Sequence, residues 1–236
     1  MPIEVSGEYF TVDLKCISSS TLQLIIIEEG MKKLYTTFIF DLDGTIIDSE
    51  RIGLEALQAA LYENGISKTI DELRFSVGIP GLRTLEILNI ADIPTTLETW
   101  LEKQKPFMSD VPLFNGVIDT ISQLPKTAIV TSQNQKEMQA GFYQLDIAHH
   151  FQAVVCADDT EKHKPNPDPL NLALQLLACE KENAIYIGDS IYDMHCATAA
   201  GVDFGLAAWG VASTANYTSA RYIFETPFDI LPLASR

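Results

Sequence analysis

Basic residues are scarce in this chain. Lys and Arg together number 16 against 32 Asp and Glu, a formal net charge of −16. Such a balance argues against nucleic acid or an anionic membrane surface as partner, because both are held by positive surface charge. Phosphate can still bind, provided a metal ion and a locally placed cation overcome a long-range field of the wrong sign. The four cysteines, Cys16, Cys156, Cys179 and Cys196, show no metal-ligand spacing, and each falls in or beside an apolar segment. That usage favours a reduced, cytoplasmic setting over a cysteine metal site. No apolar run approaches the roughly 18 residues of a membrane helix, and the N-terminus lacks both a basic region and a long apolar core, which speaks against membrane insertion and secretion. Internal repeats and low-complexity tracts are also missing. What remains is a globular chain of 236 residues, 47% hydrophobic, long enough for one packed domain or a core with a smaller insert.

Along the chain, residues 1–33 stand apart. Tyr9 to Leu14 alternate weakly, and Leu22 to Ile27 is a short β-prone run, so the stretch is read either as an added hairpin or as accessory to a protein that begins at Met31. Leu34 to Phe40 is the first core strand. Residues 51–111 then carry helical spacing, with Leu54, Leu57 and Leu61, then Leu82, Leu85 and Leu88, then Leu97, Trp100 and Leu101, and no strand-like run. Gly78 to Gly81 interrupts this helical insert, Pro94 opens its last helix, and Pro106 and Pro112 mark the way out. From Asn115 onward helices and strands alternate: helices near Gly116 to Leu124, Lys136 to Leu145, from Asp168, and Tyr192 to Ala200; strands at Ala128 to Val130, Ala153 to Cys156 and Ala184 to Ile187. Val202 to Leu206, Tyr222 to Phe224 and Phe228 to Leu233 read as further strands and a closing turn. This order predicts an α/β fold, a Rossmann-like parallel sheet with helices on both faces, built from residues 34–50 and 112–236 around a helical insert at 51–111.

Each buried strand delivers polar residues at its carboxyl end, the edge of a parallel sheet where ligands bind. Asp41 and Asp43 follow the first strand, with Gly44 easing the turn; Thr131 and Ser132 follow the second; Lys164, flanked by Pro165 and Pro167, follows the third; Asp189 follows the fourth, with Asp193 one helical turn on. Taken singly, these are also ordinary turn and capping residues. Together, Asp41, Asp43 and Asp189 would repel one another unless a cation sat between them, and hard carboxylate and carbonyl oxygens suit Mg²⁺. The chemistry that uses such a set is attack of a carboxylate on phosphorus, with Mg²⁺ and Lys164 screening the charges and the Thr131 hydroxyl holding phosphoryl oxygens. Two unit charges about 4 Å apart interact by roughly 4 kcal/mol at an effective dielectric of about 20, enough to change a rate by a large factor.

Asp-Leu-Asp-Gly-Thr at 41 to 45, Thr131, Lys164 before Pro165, and Gly188-Asp189 with Asp193 resemble the four ordered motifs of the haloacid dehalogenase superfamily, a resemblance that spans residues 34–210. The insert resembles the small helical cap of the subgroup that holds phosphoglycolate phosphatases, pyrophosphatases and β-phosphoglucomutase. By position, the resemblance implies Asp41 as nucleophile, Asp43 as general acid and base, and Lys164 as stabilising cation. It implies Thr131 and Ser132, with Lys164, as the phosphate-binding set, Asp41, Asp189 and the Asp43 carbonyl as Mg²⁺ ligands, and Asp193 behind them.

Dehalogenases of the superfamily lack the second acid, since carbon–halogen cleavage leaves no alkoxide to protonate. The presence of Asp43 therefore favours phosphoryl transfer from a small organic phosphate. Where β-phosphoglucomutases carry a histidine that aligns this acid, the sequence has Gly53, which favours hydrolysis over the mutase alternative. A non-catalytic phosphate-binding protein of the same fold is the third reading, and the retained charges argue against it. In the insert, Arg74, Arg83 and Trp100 are candidates for substrate contact, as is Trp209 in the core; a surface arginine or a packed tryptophan is the competing reading of each.

Overall fold

A computed structural model describes residues 2–5, 8–11, 33–77, 79, 81–108, 111–211 and 213–235. The chain divides into two compact units, residues 1–33 and 34–236. In the first, strands β1 (Pro2–Val5) and β2 (Glu8–Thr11) pair antiparallel as a hairpin. Tyr9 pairs with Glu4 ahead of it in the chain, while Cys16 and the β-prone run Leu22 to Ile27 lie outside the described residues.

The second unit holds six strands: β3 (Thr37–Phe40), β4 (Thr127–Val130), β5 (Ala153–Val155), β6 (Ala184–Gly188), β7 (Asp203–Ala207) and β8 (Tyr222–Phe224). All pair in parallel, in the order β5-β4-β3-β6-β7-β8. Eight α-helices accompany them among the described residues: α1 (Glu50–Glu63), α2 (Ile70–Leu73), α3 (Gly81–Ile87), α4 (Ile93–Met108), α5 (Val117–Ile121), α6 (Gln135–Ala140), α7 (Asp168–Leu176) and α8 (Ile191–Ala200).

The central strands are apolar on both faces, and their two-residue period sorts the side chains into two cores. Phe38, Phe40, Ile129, Ile185 and Ile187 pack with Val117, Ile121, Met138 and Phe142 on one face. Ile39, Ala128, Val130, Ala184 and Tyr186 pack with Leu170, Ala173, Met194 and Ala197 of α7 and α8 on the other. The strand order reverses between β3 and β6: the chain builds outward through β4 and β5, then returns to add β6 beside β3. Asp41 N donates to Ile187 O at 2.8 Å, so the carboxyl ends of β3 and β6 lie side by side at this switch point, where open α/β sheets bind ligands.

Helices α1 to α4 have an apolar cluster of their own, in which Leu54, Leu57 and Leu61 of α1 meet Leu73, Leu85, Ile90 and Trp100. The two connectors of this helical segment run together. Asp48 N donates to Pro112 O at 2.8 Å and Phe114 N to Ile46 O at 3.1 Å, which places the way in against the way out.

Three local expectations need correction. Pro106 lies within the last turn of α4, where its missing N–H breaks one bond without ending the helix. The helix expected to reach Leu145 stops at Ala140, because Gly141 leaves helical geometry at φ −123° and a 3₁₀ turn, Phe142–Gln144, follows. Phe228 to Leu233 is neither strand nor simple turn but part of a 3₁₀ segment, Pro227–Leu233, opened by a capping box between Thr226 and Asp229.

Candidate active site

The first acids sit on a turn that only a glycine completes. Gly44 has φ +77°, and a Cβ on it would lie 2.2 Å from Asp189 Oδ2. The missing side chain makes room for the Asp189 carboxylate to lie against the turn after β3, where Thr45 Oγ1 donates to Asp189 Oδ1 at 3.0 Å. Another close approach comes from the far end of the chain: a Cβ on Gly210 would meet Gly44 O at 1.9 Å, and Trp209 Nε1 donates to Thr45 O at 3.0 Å. The Tyr217 hydroxyl donates to Asp189 O. Thus Trp209, Gly210 and Tyr217 brace the turn from outside the four motifs.

Lys164 is anchored by two short charged bonds. Its Nζ lies 2.7 Å from Asp41 Oδ1 and 2.7 Å from Asp193 Oδ1. Burial alone would pull the ammonium's pKa down, but Asp193 and Asp41 outweigh it and hold the pKa above its ordinary value. Asp193 is fully committed: Oδ1 also accepts from the Tyr186 hydroxyl at 2.7 Å, and Oδ2 accepts from Ser190 N at 3.0 Å and from the Ser190 hydroxyl. Ser190 is the N-cap of α8 and closes a capping box with Asp193.

Asp41, Asp189 and Asp193 are all buried and bring one carboxylate oxygen each within 4.8 Å of one another. Three buried carboxylates thus face one buried ammonium. Burial, with Asp193 nearby and Lys164 pulling the other way, pushes the Asp41 carboxyl up to about 7. Burial and the nearness of Asp41 and Asp193 raise the Asp189 carboxyl well above the usual range. An all-oxygen cluster of three buried carboxyls beside one ammonium, one member seated in the cradle at Gly44, suits a hard divalent cation.

Asp43 lies on the rim of this cluster, held by Ser49 Oγ at 2.7 Å and Gln133 Nε2 at 2.8 Å. Thr131 is buried, and its hydroxyl accepts from Gln133 N at 3.1 Å, whereas Ser132 beside it is exposed. Gln133 thus ties Thr131 to Asp43 at this edge of the sheet, while no hydrogen bond among the described residues joins Ser132 to the cluster. Ser49, Gln133, Tyr186 and Tyr217 were not legible in advance: a serine before a helix reads as a cap, and a tyrosine within a buried strand reads as core. The insert candidates are structural in this state. Arg74 pairs with Glu50 and Asp71, Arg83 pairs with Glu86, and buried Trp100 donates to Gly53 O at 2.9 Å.

Comparison with known proteins agrees with this fold. The family model described as haloacid dehalogenase-like hydrolase matches residues 38–207. A protein of Caldanaerobacter subterraneus subsp. tengcongensis, provisionally named as the pyrophosphatase PpaX, is 31% identical over 75% of this chain and 83% of its own. Pyrophosphatase PpaX of Bacillus velezensis is 29% identical over 84% of this chain and 96% of its own. A crystal structure from Lactobacillus plantarum, provisionally named a phosphoglycolate phosphatase, superposes with a TM-score of 0.80 at 30% identity, covering 85% of this chain and 99% of the other.

Proposed function

The chain belongs to the haloacid dehalogenase-like hydrolases, and on that premise we propose that it is a Mg²⁺-dependent phosphatase that hydrolyses a small organic phosphate monoester through an aspartyl-phosphate on Asp41. One observation carries the reading: three buried carboxylates, Asp41, Asp189 and Asp193, cluster together, a single buried ammonium, Lys164, pairs with two of them, and a fourth acid, Asp43, lies at the rim. A fold without a reaction to perform gains nothing from that repulsion.

Asp41, Asp189 and the main-chain carbonyl of Asp43 would hold Mg²⁺. When bound, the ion screens the charge of the phosphate and of the carboxylate that attacks it. In the first half-reaction an Asp41 oxygen forms a bond to phosphorus as the bond to the ester oxygen breaks, and Asp43 gives that oxygen its proton, so the product leaves as an alcohol. In the second, Asp43 takes a proton from water as the water oxygen attacks phosphorus. The phosphorus–Asp41 bond then breaks, phosphate departs, and both carboxyls return to their starting states. Lys164 stays on Asp41 Oδ1 and stabilises charge on the equatorial oxygens, with Thr131 and Ser132 as hydroxyl partners. Asp193, whose oxygens are occupied by Lys164, Tyr186 and Ser190, holds the lysine and is not an open ligand. Helices α1 to α4 act as the cap that closes over the substrate.

A second reading, hydrolysis of pyrophosphate, is favoured by the names of the relatives. Against it, Lys164 is the one cation paired with this carboxylate cluster among the described residues, while Arg51, Arg74, Arg83 and Lys103 of the helical segment pair with carboxylates away from it. The deciding experiment is phosphate release from a panel of phosphate monoesters and pyrophosphate at fixed Mg²⁺. The monoester reading expects the highest kcat/KM on an organic phosphate. Preference for pyrophosphate would replace it, and positional isomerisation of a sugar phosphate without free phosphate would install the mutase.

A further inference from the structure

We propose that Ser49 and Gln133 form a clamp that aims the Asp43 carboxyl at the leaving oxygen, an inference that rests on the phosphatase reading above. Each arm takes one oxygen of the carboxylate: Ser49 Oγ lies 2.7 Å from Oδ1, and Gln133 Nε2 lies 2.8 Å from Oδ2. The arms come from separate parts of the fold, Ser49 from the connector into α1 and Gln133 from the loop after β4. With both oxygens fixed, the plane of the carboxyl is fixed as well.

Each arm gives up an ordinary bond to do this. Ser49 occupies the N-cap position of α1, where a serine normally accepts from an N–H of the first turn, yet it makes no side-chain capping bond. Gln133 turns its NH₂ toward Asp43, which leaves Oε1 buried without a hydrogen-bond partner among the described residues. An orphaned buried carbonyl is a cost that native structures rarely carry without reason. Asp43 is itself only half-buried, so water could solvate it and the fold does not need the clamp. Two independent sacrifices that converge on one carboxylate mark a group whose direction matters to the reaction. Both arms are positioning residues. They act through Asp43, and they supply at this site the alignment that Gly53 cannot give.

The step at stake is proton transfer from Asp43 to the ester oxygen as its bond to phosphorus breaks. An alkoxide needs that proton, whereas nitrophenolate leaves without it. The test compares kcat/KM, which reports the chemistry only up to loss of the leaving group, for glycerol phosphate and glucose 6-phosphate against p-nitrophenyl phosphate at fixed Mg²⁺. Ser49→Ala and Gln133→Met are expected to lose about tenfold on the faster alkyl phosphate and to stay within about threefold of wild type on p-nitrophenyl phosphate. Ser49→Thr keeps the hydroxyl and should keep both activities. Because Ser49 makes no cap, Ser49→Ala should also melt at the wild-type temperature, which separates lost positioning from lost fold. Equal losses on both substrate classes, or no loss on the alkyl phosphate, would overturn the clamp. So would a wild-type chain that cleaves p-nitrophenyl phosphate but neither alkyl phosphate. A wild-type chain inert to all three would overturn the phosphatase reading itself.

Discussion

The Tyr186 hydroxyl donates to Asp193 Oδ1 at 2.7 Å, the same oxygen that receives the Lys164 ammonium at 2.7 Å. Tyr186 points to the α7–α8 face of β6, so the core beneath the sheet reaches up to fix the ion pair at its edge. Tyr186→Phe deletes this bond and should cost about 1–2 kcal/mol in urea unfolding, with a several-fold fall in kcat. Asp193→Asn should cost more, about 3 kcal/mol, since it strips a buried ammonium of one of its two counter-charges. Wild-type stability in both variants would remove Asp193 from the role of holding Lys164.

How much of this could be read in advance differs between strands and contacts. The strands were legible because Phe38 to Phe40 and Ala184 to Ile187 are apolar throughout, which a sheet buried on both faces requires. The residues at their carboxyl ends were legible for the same reason, since topology alone brings Asp41, Thr131 and Asp189 to one edge. The partners of those residues were not. Nothing in the order Ser49, Glu50, Arg51 says that the serine will turn from its helix to Asp43, and nothing in Ala184 to Ile187 marks Tyr186 as the neighbour of Lys164. Such pairings depend on side-chain direction at a crossing of distant segments, which periodicity does not encode. Helix ends escape periodicity where a single residue decides the matter, as at Gly141.

Gly44 makes the metal requirement testable apart from turnover. A methyl group there would lie 2.2 Å from Asp189 Oδ2 on a backbone at φ +77°, so Gly44→Ala displaces the Asp189 carboxylate and strains the turn. Wild-type protein should melt at a higher temperature in Mg²⁺ than in EDTA, and EDTA should abolish phosphate release. Gly44→Ala should melt lower than wild type and show little or no Mg²⁺-dependent rise. A full rise in the variant would mean that the ion binds elsewhere.

Cysteine reactivity offers a check on the two cores. Burial pushes the Cys156 thiol up to about 12, with Asp159 and Asp158 adding to the effect, and burial pushes Cys196 up to about 12 against the pull of Lys164. Neither is a thiolate near neutral pH, whereas Cys179 is partly exposed. Alkylation of the native protein followed by site-resolved mass spectrometry should modify Cys179 well before Cys156 or Cys196. Early labelling of Cys196 would mean that α8 opens readily beneath the site.

The last prediction separates the role of Asp41 in the reaction from its effect on the fold. Asp41→Asn keeps the shape of the side chain but offers phosphorus no carboxylate, so turnover should vanish even at saturating Mg²⁺. Stability should move the other way in metal-free buffer. In the folded protein, burial and Asp193 push the Asp41 carboxyl from its ordinary 3.8 up to about 7, with Lys164 opposing them. The folded state therefore holds this proton more tightly than the unfolded chain does. Its contribution to stability is fully present below about pH 4 and is lost as the pH climbs through about 7. The amide has no proton to lose, so the variant should gain on wild type as the pH is raised from about 4 to about 8 in EDTA, and the two unfolding curves should diverge across that interval. Mg²⁺ should then narrow the gap, because the ion compensates the charge in wild type and finds one ligand fewer in the variant. A variant that is inactive yet tracks wild type at every pH would leave Asp41 its chemistry and deny it the buried repulsion. A variant that still releases phosphate would take the nucleophile away from Asp41 altogether.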